Sequence, residues 1–436
     1  MATQTRAFLG ARRRNGELFL ILLAVVIAGG MYTLASLGRN ASLPADISPF
    51  LGFVVVLWFS AHLVVRRWAP AADGVLLPLG VLLNAIGYVV IARLDEDLAA
   101  RQATWTAIGI AAFAATVILL DDPRVLSRYR YTAGFAGIVL LALPLVPGLG
   151  FEANGARLWV GIGPISFQPG EFAKIALAIF FASYLVDRAE LLSETAIKIG
   201  PLRLPELKHL GPVAVAGALS LVVMIGEKDL GSSLLFFLLV LIMLWVATGR
   251  VTFLLGGLAA FTGGAYLVGT RFAHVRSRIS IWLDPWSDPL DAGFQNTQAW
   301  FALAWGGLTG TGPGLGLGNG SRLPEAENDF IFAVIGEELG LVGASSVLMV
   351  FLLMIGAGLR IATRARSPFS TLLAAGLTTL IGVQTVIIVG GVIRVLPLTG
   401  ITLPFVSYGG SSLVSNYIIL GILLRLSQEA EVGAAT

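Results

Sequence analysis

The sequence predicts an all-α fold: a polytopic helical bundle of about twelve spans embedded in a membrane. The first observation is composition, since 56% of the 436 residues are hydrophobic and only 13% are charged, about half the charged share of a typical soluble domain. The second is that apolar runs of about 20 residues, long enough to cross a hydrocarbon core, recur along the chain. The third is an unequal distribution of basic residues between the connecting loops.

The apolar runs define twelve predicted spans. An α-helix rises about 1.5 Å per residue, so about 20 residues cover a core of roughly 30 Å. In chain order the spans are Leu18 to Leu37, Ile47 to Val65, Gly74 to Ala92, Ala103 to Leu120, Tyr131 to Pro147, Phe172 to Val186, Gly211 to Ile225, Leu230 to Thr248, Val251 to Gly269, Phe330 to Leu359, Ser370 to Gly391 and Ser407 to Leu424.

The first span follows Arg12, Arg13 and Arg14 and resembles a secretory signal. Its apolar stretch exceeds the roughly 7–15 residues of such a signal, so we treat it as a retained span. An even number of spans places both termini on the same side of the membrane. Placing them in the cytoplasm assigns 18 basic residues to inside loops and 10 to outside loops, in agreement with the positive-inside rule.

Cysteine is absent, and the three histidines, His62, His209 and His274, lie far apart in the sequence. The missing cysteine excludes disulfides, thiolate zinc sites and iron–sulfur clusters. The histidine spacing gives no indication of a metal cluster.

The connection 270–329 faces outward in this arrangement, and long connections in compact proteins are usually functional. It contains Asp284 and Asp288, each followed by proline. An Asp before Pro often caps a helix or turn. The alternative is a carboxylate, ionised at neutral pH, that accepts a proton from a sugar hydroxyl. The residues alone leave both interpretations open.

Glu171 and Lys174 lie three residues apart at the outer end of the sixth span, a spacing that places them on one helix face. Charges inside a membrane helix are costly and are expected to pair within the bundle. They can form a structural ion pair. Alternatively, Lys174 with Arg157 neutralises a phosphate group of a lipid substrate, with Gln168 at the turn before the span.

Glycines are dense between Gly306 and Gly320, but no nucleotide-binding motif is present in this segment. We expect them to allow close packing of irregular backbone at the membrane surface. Next come Glu325 and Asp329, and then Glu337 and Glu338 inside the tenth span. Paired acids at membrane depth require cationic or hydrogen-bonding partners, for which arginines 271, 276, 278 and 394 are candidates.

The segment before the last span is rich in proline and glycine and ends in Ser407-Tyr408-Gly409-Gly410-Ser411-Ser412. This composition breaks helices, so the connection is expected to dip or kink. One interpretation is a helix-entry turn with serine caps. The other is a wall of a substrate cavity.

Several ordered motifs resemble the SEDS family, the RodA/FtsW/SpoVE-type peptidoglycan glycosyltransferases, from about Gly74 to Ser427. The matching runs are Gly155-Ala156-Arg157 with Trp159, Phe167-Gln168-Pro169 with Glu171 and Lys174, Asp229-Leu230-Gly231, Asp288-Pro289 with Gly293 and Gln295, Pro324-Glu325, Asp329 through Gly340, and Ser407 through Ser412. The Gln-Pro-Gly-Glu variant favours a RodA-like elongation protein.

The resemblance implies a ten-span core, residues 74–436, preceded by a tail and two additional spans in residues 1–73. It implies polymerisation of lipid II into glycan strands at the outer face of the bacterial cytoplasmic membrane, in cell elongation or division. It also implies a class B penicillin-binding protein as transpeptidase partner, an undecaprenyl-diphosphate-linked glycan as the second substrate, and contact with membrane lipid. Nucleic acid is not expected. The sequence requires no cofactor and leaves open whether a divalent cation assists.

Asp288 matches the residue that the family uses as catalytic base, activating the sugar hydroxyl that attacks with inversion. Arg157 and Lys174 are expected to stabilise the departing diphosphate. The substrate-binding residues implied by the matched motifs are Arg157, Gln168, Glu171, Lys174, Gln295, Glu325, Asp329, Glu338, Ser407 and Ser411.

Some positions depart from the family pattern around the expected cavity: Gly170, Glu227-Lys228 and Glu327-Asn328. Two other functions remain open from the sequence. A flippase or transporter of lipid-linked precursors would also use buried charges and helix breaks. A scaffold that recruits the cell-wall machinery would not need Asp288.

Overall fold

The computed structural model describes residues 2–43, 47–153, 156–163, 165–193, 197–199, 202–204, 218, 226–271, 273–317 and 322–433. Within these ranges the protein is predominantly helical, as predicted. The helices are α1 Ala2–Asn40, α2 Ile47–Trp68, α3 Leu76–Leu94, α4 Glu96–Leu119, α5 Arg130–Ala142, α6 Pro169–Ser193, α7 Leu230–Thr248, α8 Val251–Arg271, α9 Ala273–Leu283, α10 Phe294–Gly306, α11 Ile331–Arg364, α12 Pro368–Val392 and α13 Gly410–Gly433.

Seven of the helices in the described ranges are long and apolar enough to cross a membrane: α1, α3, α4, α7, α11, α12 and α13. This finding confirms the multi-span helical class. Apart from residue 218, the predicted span Gly211 to Ile225 lies outside the described residues, so the total of twelve stays a prediction. α13 is the central helix, with 94% of its most apolar window buried inside the protein.

Contacts between distant residues identify the two ends of the bundle. At one end, here called the terminal face, Arg13 meets Glu431 and Arg360 meets Asp73. At the other end, here called the cavity face, Arg93 meets Glu338. α1 and α3 therefore run in the same direction and α11 runs against them, so the chain alternates between the two faces.

A small antiparallel sheet interrupts the helical pattern at the cavity face. Its strands are β1 Gly150–Ala153, β2 Ala156–Ile162 and β3 Ile165–Phe167, in the order β1-β2-β3. In the register Val160 lies opposite Gly150 on one side and Phe167 on the other. This segment lies between two predicted spans, and no strands were predicted in it because each strand is too short for a clear period-2 pattern. A second hairpin pairs β4 Ile197–Ile199 with β5 Leu202–Leu204.

The described part of the glycine-rich segment, residues 307–317, packs as irregular backbone, as predicted. α11 is broken at Gly340, whose φ of 66° is left-handed, and backbone N–H groups of residues 311 and 312 donate to the carbonyls of Glu337 and Glu338. α1 packs against the same segment. A Cβ on Gly38 would lie 2.5 Å from the carbonyl oxygen of Pro313, so the close approach requires glycine.

Candidate active site

A cavity of about 1160 Å³ opens at the cavity face. Its walls come from the beginning of α4, the small sheet, the beginnings of α7 and α10, the segment before α11 and the turn before α13. The polar residues that line it include Arg101, Gln168, Lys228, Asp229, Arg278, Gln295, Asn296, Glu325, Asn328, Asp329, Ser411 and Ser412. Five of the predicted substrate-binding residues are therefore brought together: Gln168, Gln295, Glu325, Asp329 and Ser411.

One wall of the cavity is acidic. Asp229 caps α7, since its carboxylate accepts the N–H of Ser232 at 3.0 Å. Burial, followed by the negative charge of Glu325, raises the pKa of Asp329 to about 7. The guanidinium of Arg278 acts in the opposite direction on the pKa of Asp329. This wall can accept hydrogen bonds, and near neutral pH it can also hold a proton.

Cations line the same cavity. Arg278 donates to the carbonyl of Leu398 at 3.2 Å, and Lys228 lies 3.6 Å from Glu152 in an exposed pair. Arg101 lines the cavity from the beginning of α4. A ligand that carries both hydroxyls and a diphosphate would find a partner for each within one cavity.

Asp288 is exposed at the edge of the cavity rather than in its lining. Its carboxylate accepts the N–H of Ala292 at 3.4 Å and its carbonyl accepts that of Gly293 at 2.8 Å. Ala292 itself lines the cavity. Asp284, in contrast, caps the short turn Pro285–Ser287 by accepting the N–H of Trp286 at 3.2 Å. The structure thus assigns the capping role mainly to Asp284 and leaves Asp288 beside the cavity.

Glu171 and Lys174 form an ion pair of 2.6 Å below the cavity lining, with the Lys174 side chain 2% exposed. Lys174 also donates to Gln384 at 3.1 Å, and Glu171 accepts the hydroxyl of Ser415 at 2.9 Å. Gln384 in turn donates to the carbonyl of Thr402 in the cavity wall at 2.7 Å. This placement favours a structural ion pair over direct contact between Lys174 and a phosphate.

The serine-rich turn before α13 lines the cavity and is also hydrogen-bonded to neighbouring segments of the chain. The hydroxyl of Ser411 accepts the N–H of Gln168 at 2.9 Å. Ser407 is buried, donates to the carbonyl of Asn328 at 2.7 Å and accepts the N–H of Leu403 at 2.9 Å. Ser411 therefore lines the cavity, whereas Ser407 holds the turn against the acidic segment.

Besides Glu171, Lys174 and Ser407, two further predicted substrate-binding residues lie outside the cavity lining, Arg157 and Glu338. Arg157 donates across the sheet to the carbonyl of Gly150 at 3.2 Å. Glu338 is buried, lies 2.6 Å from Arg93 and accepts the N–H of Gly314 at 2.9 Å. The partner of Glu338 is Arg93 of α3, which was not among the four arginines that the sequence suggested.

Several polar residues of the cavity were not predicted as site residues, among them Arg101, Lys228, Arg278 and Asp229. Asp229 begins the matched Asp-Leu-Gly run, so its motif could have marked it as a site residue. An aspartate directly before an apolar helix is, however, equally typical of a helix cap. Arg101 and Arg278 carry no local pattern. Within the described ranges, no group of three or more His, Asp or Glu side chains is placed to hold a metal ion.

These features define a multi-pass membrane protein with a polar cavity at one membrane face. The chain belongs to the FtsW/RodA/SpoVE family of cell cycle proteins, whose family model matches residues 74–432.

Named relatives and a solved structure agree with this assignment. The "Peptidoglycan glycosyltransferase RodA" of Mycobacterium tuberculosis is 43% identical over 429 residues, covering 96% of this chain and 91% of the relative. The RodA of Mycobacterium leprae is 41% identical with the same coverage. A structure described as "Structural coordination of polymerization and crosslinking by a peptidoglycan synthase complex" matches with a TM-score of 0.68 and 28% identity, covering 83% of this chain and 98% of that one.

Proposed function

We propose that the protein is a RodA-type peptidoglycan glycosyltransferase, which polymerises lipid II into glycan strands at the outer face of the cytoplasmic membrane during cell elongation or division. The observation that carries the proposal is the position of Asp288 at the edge of a large cavity with acidic and cationic walls, in a chain of this family. The names of the relatives support the reaction class.

In the proposed reaction Asp288 acts as the general base. Its carboxylate takes the proton of the acceptor sugar hydroxyl, whose oxygen forms a bond to the anomeric carbon of the donor glycan. The bond from that carbon to the diphosphate oxygen breaks, and the electron pair leaves with the undecaprenyl diphosphate. A single displacement inverts the anomeric centre.

The departing diphosphate needs positive charge at a fixed position. Arg101, Lys228 and Arg278 line the cavity and are suited to this role. Lys174 and Arg157, which the resemblance suggested for it, are assigned a positioning role because each is bonded within a wall.

The other predicted residues divide in the same way. Gln168, Gln295, Glu325, Asp329 and Ser411 are proposed to contact the sugars and peptide of the two substrates. Glu171, Glu338 and Ser407 are proposed to hold the walls through the contacts described above.

We further propose that both termini lie in the cytoplasm, because the loops on that side carry the excess of basic residues. The cavity face is then extracytoplasmic, where a class B penicillin-binding protein can crosslink the new strand. The similarity to a peptidoglycan synthase complex supports such a partner.

The test is polymerisation of lipid II by the purified chain in lipid vesicles, with and without the transpeptidase partner. Asp288→Asn should abolish glycan product while leaving the protein folded. Asp284→Asn is the matched control, since an amide can still cap the turn and the product should remain. Translocation of lipid II without any product from the wild type would instead support the flippase alternative.

A further inference from the structure

A second cavity, of about 470 Å³, lies at the terminal face, at the opposite end of the bundle from the active site. The N-terminal part of α1, the turn before α3 and the ends of α11 and α13 enclose it. Among the described residues, its charged lining consists of three arginines and three acids: Arg13, Arg360, Arg364, Glu17, Asp73 and Glu431.

Arg13 and Arg364 share one carboxylate. The same carboxylate oxygen of Glu431 lies 3.5 Å from Arg13 and 3.4 Å from Arg364. The two arginine side chains are 38% and 62% exposed, and ion pairs at such distances and exposures contribute little. Arg13 also donates to the carbonyl of Ala71 at 2.6 Å, but that carbonyl is neutral. One carboxylate therefore faces two guanidinium groups of five donors each, and this end of the cavity has positive charge in excess.

Each of the other two acids of the lining is paired with a different arginine. One oxygen of Glu17 is bonded to buried Arg14 and the other lies 2.7 Å from Nδ1 of His62. Asp73 accepts the N–H of Val75 at 2.8 Å through one oxygen and Arg360 at 2.8 Å through the other. With Arg14 included, four arginines face three carboxylates, and the excess positive charge is concentrated at Arg13 and Arg364.

The cavity continues onto an apolar surface. Phe19 and Leu20 of α1 belong to its lining and are 66% and 36% exposed. In a membrane-spanning helix such side chains face acyl chains. A molecule that fits this arrangement carries a phosphate at one end and hydrocarbon at the other.

We infer that this cavity binds the headgroup of an anionic phospholipid. Its phosphate lies between Arg13 and Arg364, displacing their shared contact with Glu431, and its acyl chains run along Phe19 and Leu20. Juxtamembrane arginines recognise anionic lipids in this way, and guanidinium groups suit phosphate geometry. The bound lipid connects α1 to the ends of α11 and α13.

The test uses the full chain purified in neutral detergent, without lipid II or partner, so its outcome is independent of the proposed reaction. Binding of phosphatidylglycerol is measured by native mass spectrometry and by the rise in Tm, with phosphatidylcholine as the zwitterionic comparison. Phosphatidylglycerol should bind and raise Tm, whereas phosphatidylcholine should not. Arg13→Gln and Arg364→Gln should each weaken binding about fivefold.

Two further variants distinguish a specific lipid site from non-specific electrostatic attraction and from loss of folding. Glu431→Gln removes the competing carboxylate, so it should tighten phosphatidylglycerol binding by about threefold. Arg366→Gln removes the same charge two residues from Arg364 but outside the lining, and it should leave binding unchanged.

Several results would overturn the inference. Equal binding of both lipids would show no headgroup recognition, and equal losses in the Arg364 and Arg366 variants would show only diffuse attraction. A rise in Tm with inorganic phosphate as large as that with the lipid would indicate a small-anion site. Weaker binding by Glu431→Gln would show that this carboxylate supports the ligand rather than competing with it.

Discussion

The buried pair of Glu171 and Lys174 yields a prediction that separates its two interpretations. The perturbation is a double-mutant cycle with Glu171→Gln, Lys174→Met and the two combined. Each single variant leaves one uncompensated charge, because the pair is 2.6 Å apart and its side chains are 10% and 2% exposed. Removing both charges leaves none.

The magnitude follows from burial and from the remaining contacts. Breaking a buried ion pair by removing one partner costs about 3–5 kcal/mol. Here Glu171 retains its hydrogen bond from the hydroxyl of Ser415, and Lys174 retains its hydrogen bond to the amide oxygen of Gln384. We therefore expect each single variant to lose about 3 kcal/mol in free energy of unfolding, the lower end of this range. The double variant should regain about 2 kcal/mol relative to each single variant.

Two measurements are needed: unfolding of the purified protein in detergent, and lipid II polymerisation at a temperature where every variant is folded. The exposed pair Lys228 and Glu152, at 3.6 Å, is the matched stability control, and its cycle should show a coupling below about 0.5 kcal/mol. If the pair is structural, the double variant regains both stability and activity. A stable double variant without polymerisation would refute this reasoning and assign Lys174 to the substrate.

The remaining predictions concern Asp329 and α1. Burial raises the pKa of Asp329 to about 7. Between about pH 4 and pH 7 the folded state therefore binds more protons at this residue than the unfolded state does. The contribution of Asp329 to the free energy of unfolding consequently falls as the pH rises through that window. Asp329→Asn should therefore have a higher Tm than the wild type, and the difference in Tm should grow from pH 5 to pH 7 and then level off. A difference in Tm that does not depend on pH would contradict this prediction. Gly38→Ala would push α1 away from Pro313 and should cost about 1–3 kcal/mol. Gly30→Ala, with no atom within 4 Å of the added Cβ, should be neutral or slightly stabilising, and equal losses in thermal unfolding would refute the packing argument.

Much of the architecture could be predicted because it depends on local sequence. The helix Leu230–Thr248 matches its predicted span at both ends, since Asp229 caps its beginning and Gly249 follows its end in a left-handed conformation. The small sheet was missed because strands of three to seven residues, held by contacts between neighbouring strands, carry little periodicity.

The candidate site was predicted only in part. Gln168, Gln295, Glu325, Asp329 and Ser411 belong to recognisable motifs and meet in one cavity. The resemblance also marked Lys174 and Glu338, but a motif does not distinguish a side chain that touches a ligand from one that supports the wall behind it.

The sequence by itself determined that the chain crosses a membrane repeatedly, because a hydrocarbon core requires apolar runs of a set length whatever their packing. It also determined that Glu171 and Lys174 share a helix face, because three residues are almost one helical turn. Only the tertiary structure decided that Glu338 pairs with Arg93, that Lys174 lies below the cavity lining, and that Arg101 and Arg278 belong to it. Such contacts join residues far apart in the chain, and helix packing rather than local spacing sets which of them meet.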